Sequence, residues 1–262
     1  MPVSLFLLPV FLFAWSQTQV ENDWTIGVVF AILHLLLIPI GGGIVSLYDR
    51  NTARPSKSQC TVLLGLMTFM VIIALTVSYL FFSLQFALLC FVYLLAIPLY
   101  AHSGLGIRRI PVLGFLMFIF MQGYFAYYLV QYGLGGVDYS SFTEHWQAKL
   151  SCSLLLGAVY LLSLNHNRDA IQKRQLGYRA SFLVSALFIG VAEVLFYLLF
   201  KSNPRSFWVL QLFLFPPLAY LIYWAMKVWN NTSEASLLHA MRITVLSSVS
   251  LGLCFISFLL SR

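Results

Sequence analysis

The chain consists of long apolar runs separated by short polar segments. Nine runs can be read along it. They are Pro2–Ser16, Trp24–Leu47, Cys60–Phe81, Leu84–Tyr100, Ile110–Tyr132, Trp146–Ser163, Arg179–Phe200, Phe207–Trp229 and Ile243–Leu260. Most have about the 20 residues that a helix needs to cross a bilayer. The runs do not alternate between apolar and polar residues, and a lipid-embedded backbone must satisfy its own hydrogen bonds, so they predict helices.

This pattern predicts an all-α, polytopic transmembrane bundle with about nine spans, forming one domain over residues 1–262. The third and fourth runs are separated only by Phe82 and Ser83, so we expect a tight hairpin between them. The adjacent prolines Pro216 and Pro217 predict an interruption of the eighth helix, either a break that lines a cavity or only a kink. The short first run has the alternative interpretation of a secretory signal peptide, although it lacks a basic leading segment.

Composition supports the membrane assignment, because 61% of the residues are hydrophobic and only 9% are charged. A soluble domain carries about 25% charged residues. The four cysteines form no C-x-x-C spacing, so we interpret them as reduced packing residues.

Basic residues are unevenly distributed between the two sides of the predicted bundle, which indicates its orientation. Eleven of the 15 Lys and Arg residues fall in the even-numbered loops or the adjoining helix ends: Arg50, Arg54, Lys57, Arg108, Arg109, Arg168, Lys173, Arg174, Arg179, Lys227 and Arg242. We therefore expect these loops to be cytoplasmic. The net charge of +7 then reflects topology and contact with membrane lipid, not binding of nucleic acid.

Three of these loops, at residues 48–57, 102–109 and 165–174, concentrate the cations, and the first and third also hold one carboxylate each. Asp49 and Asp169 each follow a predicted helix end, among arginines and lysines. Arginine forks and lysine bind phosphate oxygens, and a carboxylate can bridge Mg²⁺ to a diphosphate. Charge alone permits two interpretations, a polyanion site or an ordinary positive-inside loop set with surface ion pairs.

Several polar and aromatic residues within the runs can each be interpreted in more than one way. Glu193 is either a buried neutral carboxyl, the partner of a cation on another helix, or a group that carries protons or binds an acceptor. His34 is either a hydrogen-bonded packing histidine or a catalytic base. Gln122 can line a cavity or bond across helices. The aromatic residues near Tyr124 and Tyr128 belong to the core or lipid face, or form a wall that stabilises a cation.

Several segments, in order along the chain, resemble the UbiA family of intramembrane prenyltransferases. They are residues 4–14 (SLFLLPVFLFA), 32–39 (ILHLLLIP), 48–51 (YDRN), 100–102 (YAH), 108–114 (RRIPVLG), 120–125 (FMQGYF), 164–169 (LNHNRD) and 176–177 (LG). The resemblance therefore covers residues from about 4 to 177. The last three predicted helices match the family in number and length only.

The resemblance implies a fold and a function. The fold is a ring of nine helices around a central cavity that opens to lipid. The function is transfer of a prenyl group, an alkyl group other than methyl, from an isoprenyl diphosphate to an unknown acceptor. Asp49 and Asp169 would be catalytic residues and Mg²⁺ ligands. The diphosphate would be bound by six cations: Arg50, Arg54, Arg108, Arg109, Arg168 and Lys173. We expect a multi-pass protein of a bacterial inner membrane with its site on the cytoplasmic side.

The sequence also departs from the family motifs. Val45 and Ala53 stand where N-x-x-x-D-x-x-x-D has its outer polar residues, and Asn51 replaces the second acid of a D-x-D form. Asp169 has no acidic residue four positions to either side. Each motif thus keeps one carboxylate, and two Mg²⁺ ions would be short of ligands, although the cations could hold a diphosphate directly. The alternative function is a non-catalytic relative that binds a lipid or a partner protein.

Overall fold

The computed structural model describes residues 4–20, 22–48, 56–101, 111–135, 142–163 and 177–261. Within these ranges the chain forms nine helical rods and no strand. The rods are α1 (Ser4–Gln17), α2 (residues 23–48), α3 (Lys57–Phe81), α4 (Leu84–Ala101), α5 (residues 111–135), α6 (Trp146–Ser163), α7 (Tyr178–Leu199), α8 (Pro204–Asn230) and α9 (Leu237–Leu260). The all-α transmembrane prediction is confirmed.

Seven rods in the described ranges are long and apolar enough to cross a membrane, namely α2 to α5 and α7 to α9. The shorter α1 packs into the bundle interior through Phe13, which has no exposed surface and lies against α9. The remaining rod, α6, has 18 residues and includes the fully buried Lys149. It packs against α5, α7 and α9, so its polar residues face protein. Nine therefore stands as an approximate number of spans.

The rods form a closed ring. Along it, α2 contacts α3 and α4, α4 contacts α5, α5 contacts α6, α6 contacts α7, α7 contacts α8, and α8 contacts α9. The first rod closes the ring, because it packs against α9 and its Phe11 meets the rings of Phe30 and His34 of α2. It also packs against α5. Since successive helices alternate in direction, α2, α4, α6 and α8 end where α3, α5, α7 and α9 begin. We call this side the basic end, because the predicted cytoplasmic loops adjoin it.

Local signals explain several helix boundaries. α3 begins at a capping box in which Ser56 and Gln59 satisfy each other's backbone N–H groups. The predicted hairpin between α3 and α4 is confirmed, because α3 ends at Phe81 and Ser83 Oγ accepts a hydrogen bond from the N–H of Phe86. α9 begins six residues before the predicted start, at an N-cap formed by Ser236.

α8 continues through Pro216 and Pro217 as one helix, so the span is not broken there and only the alternative of a kink is compatible with the structure. The irregular backbone lies elsewhere, in π-helical segments at Ala31–Leu37 of α2 and Phe120–Phe125 of α5. A π-helical segment accommodates an extra residue per turn and is frequent at functional sites. Both segments lie near the middle of their rods.

Candidate functional site

A cavity of about 340 Å³ lies between α2, α4 and α5. We call it the chamber. Most of its lining is apolar or glycine: Leu37, Ile38, Gly41, Gly42, Val45, Ala96, Ile97, Met117, Phe118 and Met121. Four polar side chains join them, Ser46, Tyr93, Tyr100 and Gln122. A concave, mostly apolar site with a few polar groups is the usual form of a small-molecule site.

The inner end of the chamber is formed near the middle of the rods. There Tyr93 of α4 donates a hydrogen bond from its hydroxyl to Oε1 of Gln122 on α5, at 2.9 Å. Tyr93 is almost fully buried and its ring is stacked with that of Phe125 at a centroid distance of 6.4 Å. Gln122 thus both lines the cavity and bonds across helices, so its two predicted roles coincide.

The π-helical segment of α5 brings Gln122 to this position beside a close helix contact. Its neighbour Gly123 lies so near Ser153 of α6 that a Cβ on Gly123 would be 2.4 Å from the Cα of Ser153. Only a residue without a side chain permits this approach, as is common where membrane helices pack through small residues.

The other end of the chamber lies at the basic end. Ser46 lines it two residues before the end of α2, and Tyr100 lines it one residue before the end of α4. The hydroxyl groups of Tyr100 and Tyr160 of α6 are 3.2 Å apart, which links α4 to α6 there. Phe118 stacks on Tyr160 at a centroid distance of 3.8 Å. The chamber therefore runs from mid-membrane towards the side of the predicted polyanion site.

The residues predicted from motifs and charge lie outside the described ranges. They are Asp49, Arg50, Arg54, Arg108, Arg109, Arg168, Asp169 and Lys173. Their catalytic, diphosphate-binding and metal-binding roles therefore remain predictions. The chamber lies beside the first of them in sequence, because Ser46 is three residues before Asp49.

The described part of the chain has no group of three or more His, Cys, Asp or Glu residues that could hold a metal ion. The chamber residues listed above include no acidic side chain. Mg²⁺ prefers carboxylate and other oxygen ligands. The chamber lining therefore fits a hydrocarbon, and any Mg²⁺ would have to be held by residues beyond it, as predicted for Asp49 and Asp169.

Other polar residues predicted within the spans lie away from the chamber. Oε2 of Glu193 accepts a hydrogen bond from the amide of Gln211 on α8, so its described partner is a neutral amide and not a cation. His34 is stacked on Phe30 at 4.3 Å and meets the ring of Phe11 edge-on. Both buried ring nitrogens of His34 lack a hydrogen-bond partner among the described residues, so the packing is not the hydrogen-bonded one that was expected, and both interpretations of His34 remain predictions.

The aromatic residues of α5 do face a cation, but it is a lysine of the protein. Lys149 Nζ lies 5.8 and 5.3 Å from the ring centroids of Tyr124 and Tyr128. It donates hydrogen bonds to the carbonyl oxygens of Phe142 and Glu144, at 3.2 and 2.5 Å. Since α6 begins beside Lys149, this cluster lies at the end of the bundle opposite the basic end. None of the four cysteines forms a disulfide among the described residues, and Cys90, Cys152 and Cys254 are buried.

The sequence does not indicate that Ser46, Tyr93 and Tyr100 line the chamber. Each is a single polar residue in an apolar run, and such a residue reads the same whether it faces a cavity, the core or lipid. Gln122 was recognised because an amide at that depth needs a partner. A helical projection of α4 would have placed Tyr93, Ala96 and Tyr100 on one face, at spacings of three and four residues.

Comparison with protein-family models and with curated protein sequences finds no match. Comparison with solved structures finds two similar folds. The apo structure of a UbiA homolog from Aeropyrum pernix K1 has a TM-score of 0.74 and 14% identity, over 97% of each chain. A digeranylgeranylglyceryl phosphate synthase has a TM-score of 0.61 and 13% identity, over 98% of this chain and 92% of the other.

Proposed function

We propose, from the UbiA fold that this chain adopts over almost its whole length, that it transfers an isoprenyl group from an isoprenyl diphosphate to an acceptor inside the membrane. The observation that carries the proposal is the combination of this fold with an apolar chamber that extends to the basic end. One of the two similar structures is itself named as a synthase of a prenylated lipid.

In this proposal the two regions of the site bind different parts of the substrate. The chamber holds the hydrocarbon tail, because its lining is apolar along α2, α4 and α5. The predicted cations Arg50, Arg54, Arg108, Arg109, Arg168 and Lys173 bind the diphosphate oxygens and orient that headgroup at the basic end. Asp49 and Asp169 would hold Mg²⁺, which when bound adds positive charge to stabilise the leaving diphosphate.

The reaction breaks the bond between the allylic carbon and the diphosphate oxygen, and both electrons leave with the diphosphate. A nucleophilic atom of the acceptor then bonds to that carbon and loses a proton. Water must be kept from the electron-deficient carbon until the acceptor attacks. The apolar walls formed by residues such as Val45, Ile97 and Met121 serve this purpose.

The test is binding and turnover of radiolabelled farnesyl diphosphate by the purified full chain in detergent, with Mg²⁺ and with a chelator. We expect Mg²⁺-dependent binding that is lost in Asp49→Asn and Asp169→Asn. Asp23→Asn is the matched control, since Asp23 is an exposed carboxylate at the opposite end of α2. Binding that survives chelation but is lost in Arg50→Gln would indicate a metal-free diphosphate binder, which is the non-catalytic alternative. Absence of binding would contradict a diphosphate site of either kind and would favour the alternative of a non-catalytic relative that binds another lipid or a partner protein.

A further inference from the structure

Two basic residues lie beside the seam between α8 and α9, near the basic end of the bundle. Lys227 is three residues before the end of α8, and Arg242 is five residues after the start of α9. With 27 and 24 residues, these helices are about 40 and 36 Å long, which exceeds the hydrocarbon core of about 30 Å. Their ends therefore lie among the lipid headgroups. This seam is separate from the chamber, which lies between α2, α4 and α5.

Arg242 projects from the face of α9 that is turned to lipid. Leu238 and Val245, four residues before it and three after it, are 55% and 44% exposed. On the other face of the helix, Ala240 and Ile243 are almost fully buried. Arg242 itself is exposed and has no ion-pair partner among the described residues. A lone cation among lipid-facing apolar side chains is costly, so its long side chain must extend to the polar groups at the membrane surface.

A cluster of polar side chains fixes the two helices at this seam. The hydroxyl of Tyr220 on α8 lies 2.6 Å from Nδ1 of His239 on α9. In the short turn between the helices, Oε2 of Glu234 lies 3.6 Å from Nε2 of His239 and 3.9 Å from Nζ of Lys227. Lys227 therefore stands at the α8 edge of the seam. Arg242 follows His239 by three residues, which places it on the neighbouring, lipid-facing edge of α9.

The lipid-facing groove bordered by Lys227 and Arg242, which we call the α8–α9 groove, has the features of a headgroup site. Nζ of Lys227 lies 5.0 Å from the ring centroid of Tyr223, and that ring is exposed to lipid. Tyrosine is enriched where a membrane meets water. Two cations and the single carboxylate of Glu234 leave one net positive charge, which matches one phosphate anion.

We propose that the α8–α9 groove binds the headgroup of an anionic phospholipid. The guanidinium of Arg242 donates two hydrogen bonds to the phosphate oxygens, and Lys227 adds a point charge. The acyl chains lie along Leu238 and Val245, which continue the exposed face of α9 into the hydrocarbon. The occupant is a lipid and not a free phosphate, because the cation at Arg242 is flanked by apolar side chains that only a hydrocarbon tail would cover. This assignment does not depend on prenyl transfer.

The experiment is native mass spectrometry of the purified full chain in detergent, titrated with phosphatidylglycerol or with phosphatidylcholine. We expect the first phosphatidylglycerol to bind more tightly than the first phosphatidylcholine, because only phosphatidylglycerol carries a net negative charge. Arg242→Gln should weaken the apparent Kd for phosphatidylglycerol by about fivefold or more, as expected for the loss of one cation from a lipid headgroup site. Equal affinity of the natural chain for the two lipids would overturn the proposal.

Arg205→Gln is the matched control for the loss of one positive charge. Arg205 is an exposed arginine on α8, as close to a helix end as Arg242 is, but at the opposite end of the bundle. The apparent Kd for phosphatidylglycerol should stay within about twofold of the natural value in this variant. A loss in Arg205→Gln as large as that in Arg242→Gln would show that net charge and not the α8–α9 groove governs binding, and would contradict the proposal.

A change at Glu234 should act in the opposite direction, which damage to the fold would not imitate. Glu234→Gln removes the negative charge beside Lys227, so phosphatidylglycerol should bind several-fold more tightly. Unchanged or weaker binding in Glu234→Gln would contradict the charge argument. A large excess of glycerol 3-phosphate, which has the phosphate but no acyl chains, should leave phosphatidylglycerol bound. Its displacement would indicate a site for a free phosphate and would refute the assignment to a lipid.

Discussion

The contact between α5 and α6 at Gly123 gives the most sharply defined prediction of stability. Replacement by alanine adds one methyl group. Its carbon would lie 2.4 Å from both the Cα and the Oγ of Ser153 and 2.8 Å from its Cβ. Nonbonded carbon atoms normally lie about 3.5–4.0 Å apart. The nearest obstacle includes backbone, so a change of rotamer at Ser153 cannot relieve the clash and the two helices must separate.

Two effects of opposite sign determine how much Gly123→Ala changes the free energy of unfolding. Alanine is favoured over glycine within a helix by about 1 kcal/mol. Forcing an extra methylene into a packed interior typically costs about 1–3 kcal/mol, and the larger values apply when backbone has to shift. We therefore expect Gly123→Ala to lower the free energy of unfolding by about 1–2 kcal/mol in net terms.

The assay is reversible unfolding of the purified protein in mixed detergent micelles, followed by circular dichroism. Gly190→Ala is the matched control. Gly190 also lies within a transmembrane helix, and a Cβ there meets nothing within 4 Å. Gly190→Ala should leave the free energy of unfolding unchanged or raise it slightly. If Gly123→Ala were as stable as Gly190→Ala, the close approach of α5 and α6 would be refuted.

Two other buried polar contacts give predictions that the same unfolding assay can check. Lys149→Met should lower the free energy of unfolding by roughly 1–3 kcal/mol, since two backbone carbonyls lose their donor. Lys201→Met, at an exposed lysine, is the control. Equal stability of the two variants would contradict a stabilising role for the hydrogen bonds of Lys149. Gln211→Leu should cost roughly 1–3 kcal/mol, since it leaves the carboxyl of Glu193 without its described donor. Adding Glu193→Leu should recover most of that loss, and strictly additive effects would show that the two side chains are not coupled.

The sequence was sufficient to predict the helical rods because the constraint that creates them is local. Each lipid-embedded segment must satisfy its own backbone, so the apolar run and the helix nearly coincide. For α6 the predicted and observed bounds are the same, Trp146–Ser163, and for α4 they differ by one residue at Ala101. The start of α3 was missed by three residues, although the capping pair Ser56 and Gln59 is a readable signal.

Features that arise from packing between rods could not be read from local sequence. The Pro216–Pro217 pair predicts either a break or a kink, and α8 continues through it as one helix. The π-helical segments have no composition of their own, and their positions follow from contacts with other helices. Lys149 is a single charge near the start of the predicted span Trp146–Ser163, and it is buried against Tyr124 and Tyr128. Its surroundings come from a neighbouring rod, so no local pattern indicates them.

The same difference applies to the candidate site: its charged residues can be recognised in the sequence, whereas its chamber depends on packing between rods. Charges and carboxylates are conspicuous in an apolar sequence, so a polyanion site can be predicted from them, and it remains a prediction because its residues lie outside the described ranges. The chamber depends on the pairing of Tyr93 with Gln122, which are 29 residues apart. A hydroxyl in an apolar run gives no indication of such a pairing until the arrangement of the helices is known.

The closed ring has a consequence for how the protein is made. Phe13 of α1 is stacked on Phe255 of α9 at a centroid distance of 4.4 Å, so the first and last helices complete each other's packing. Synthesis starts at the N-terminus, so α1 enters the membrane long before its partner exists. The chamber walls come from α2, α4 and α5, all in the first half of the chain. The chamber can therefore assemble during translation, before α9 packs against α1 and closes the ring.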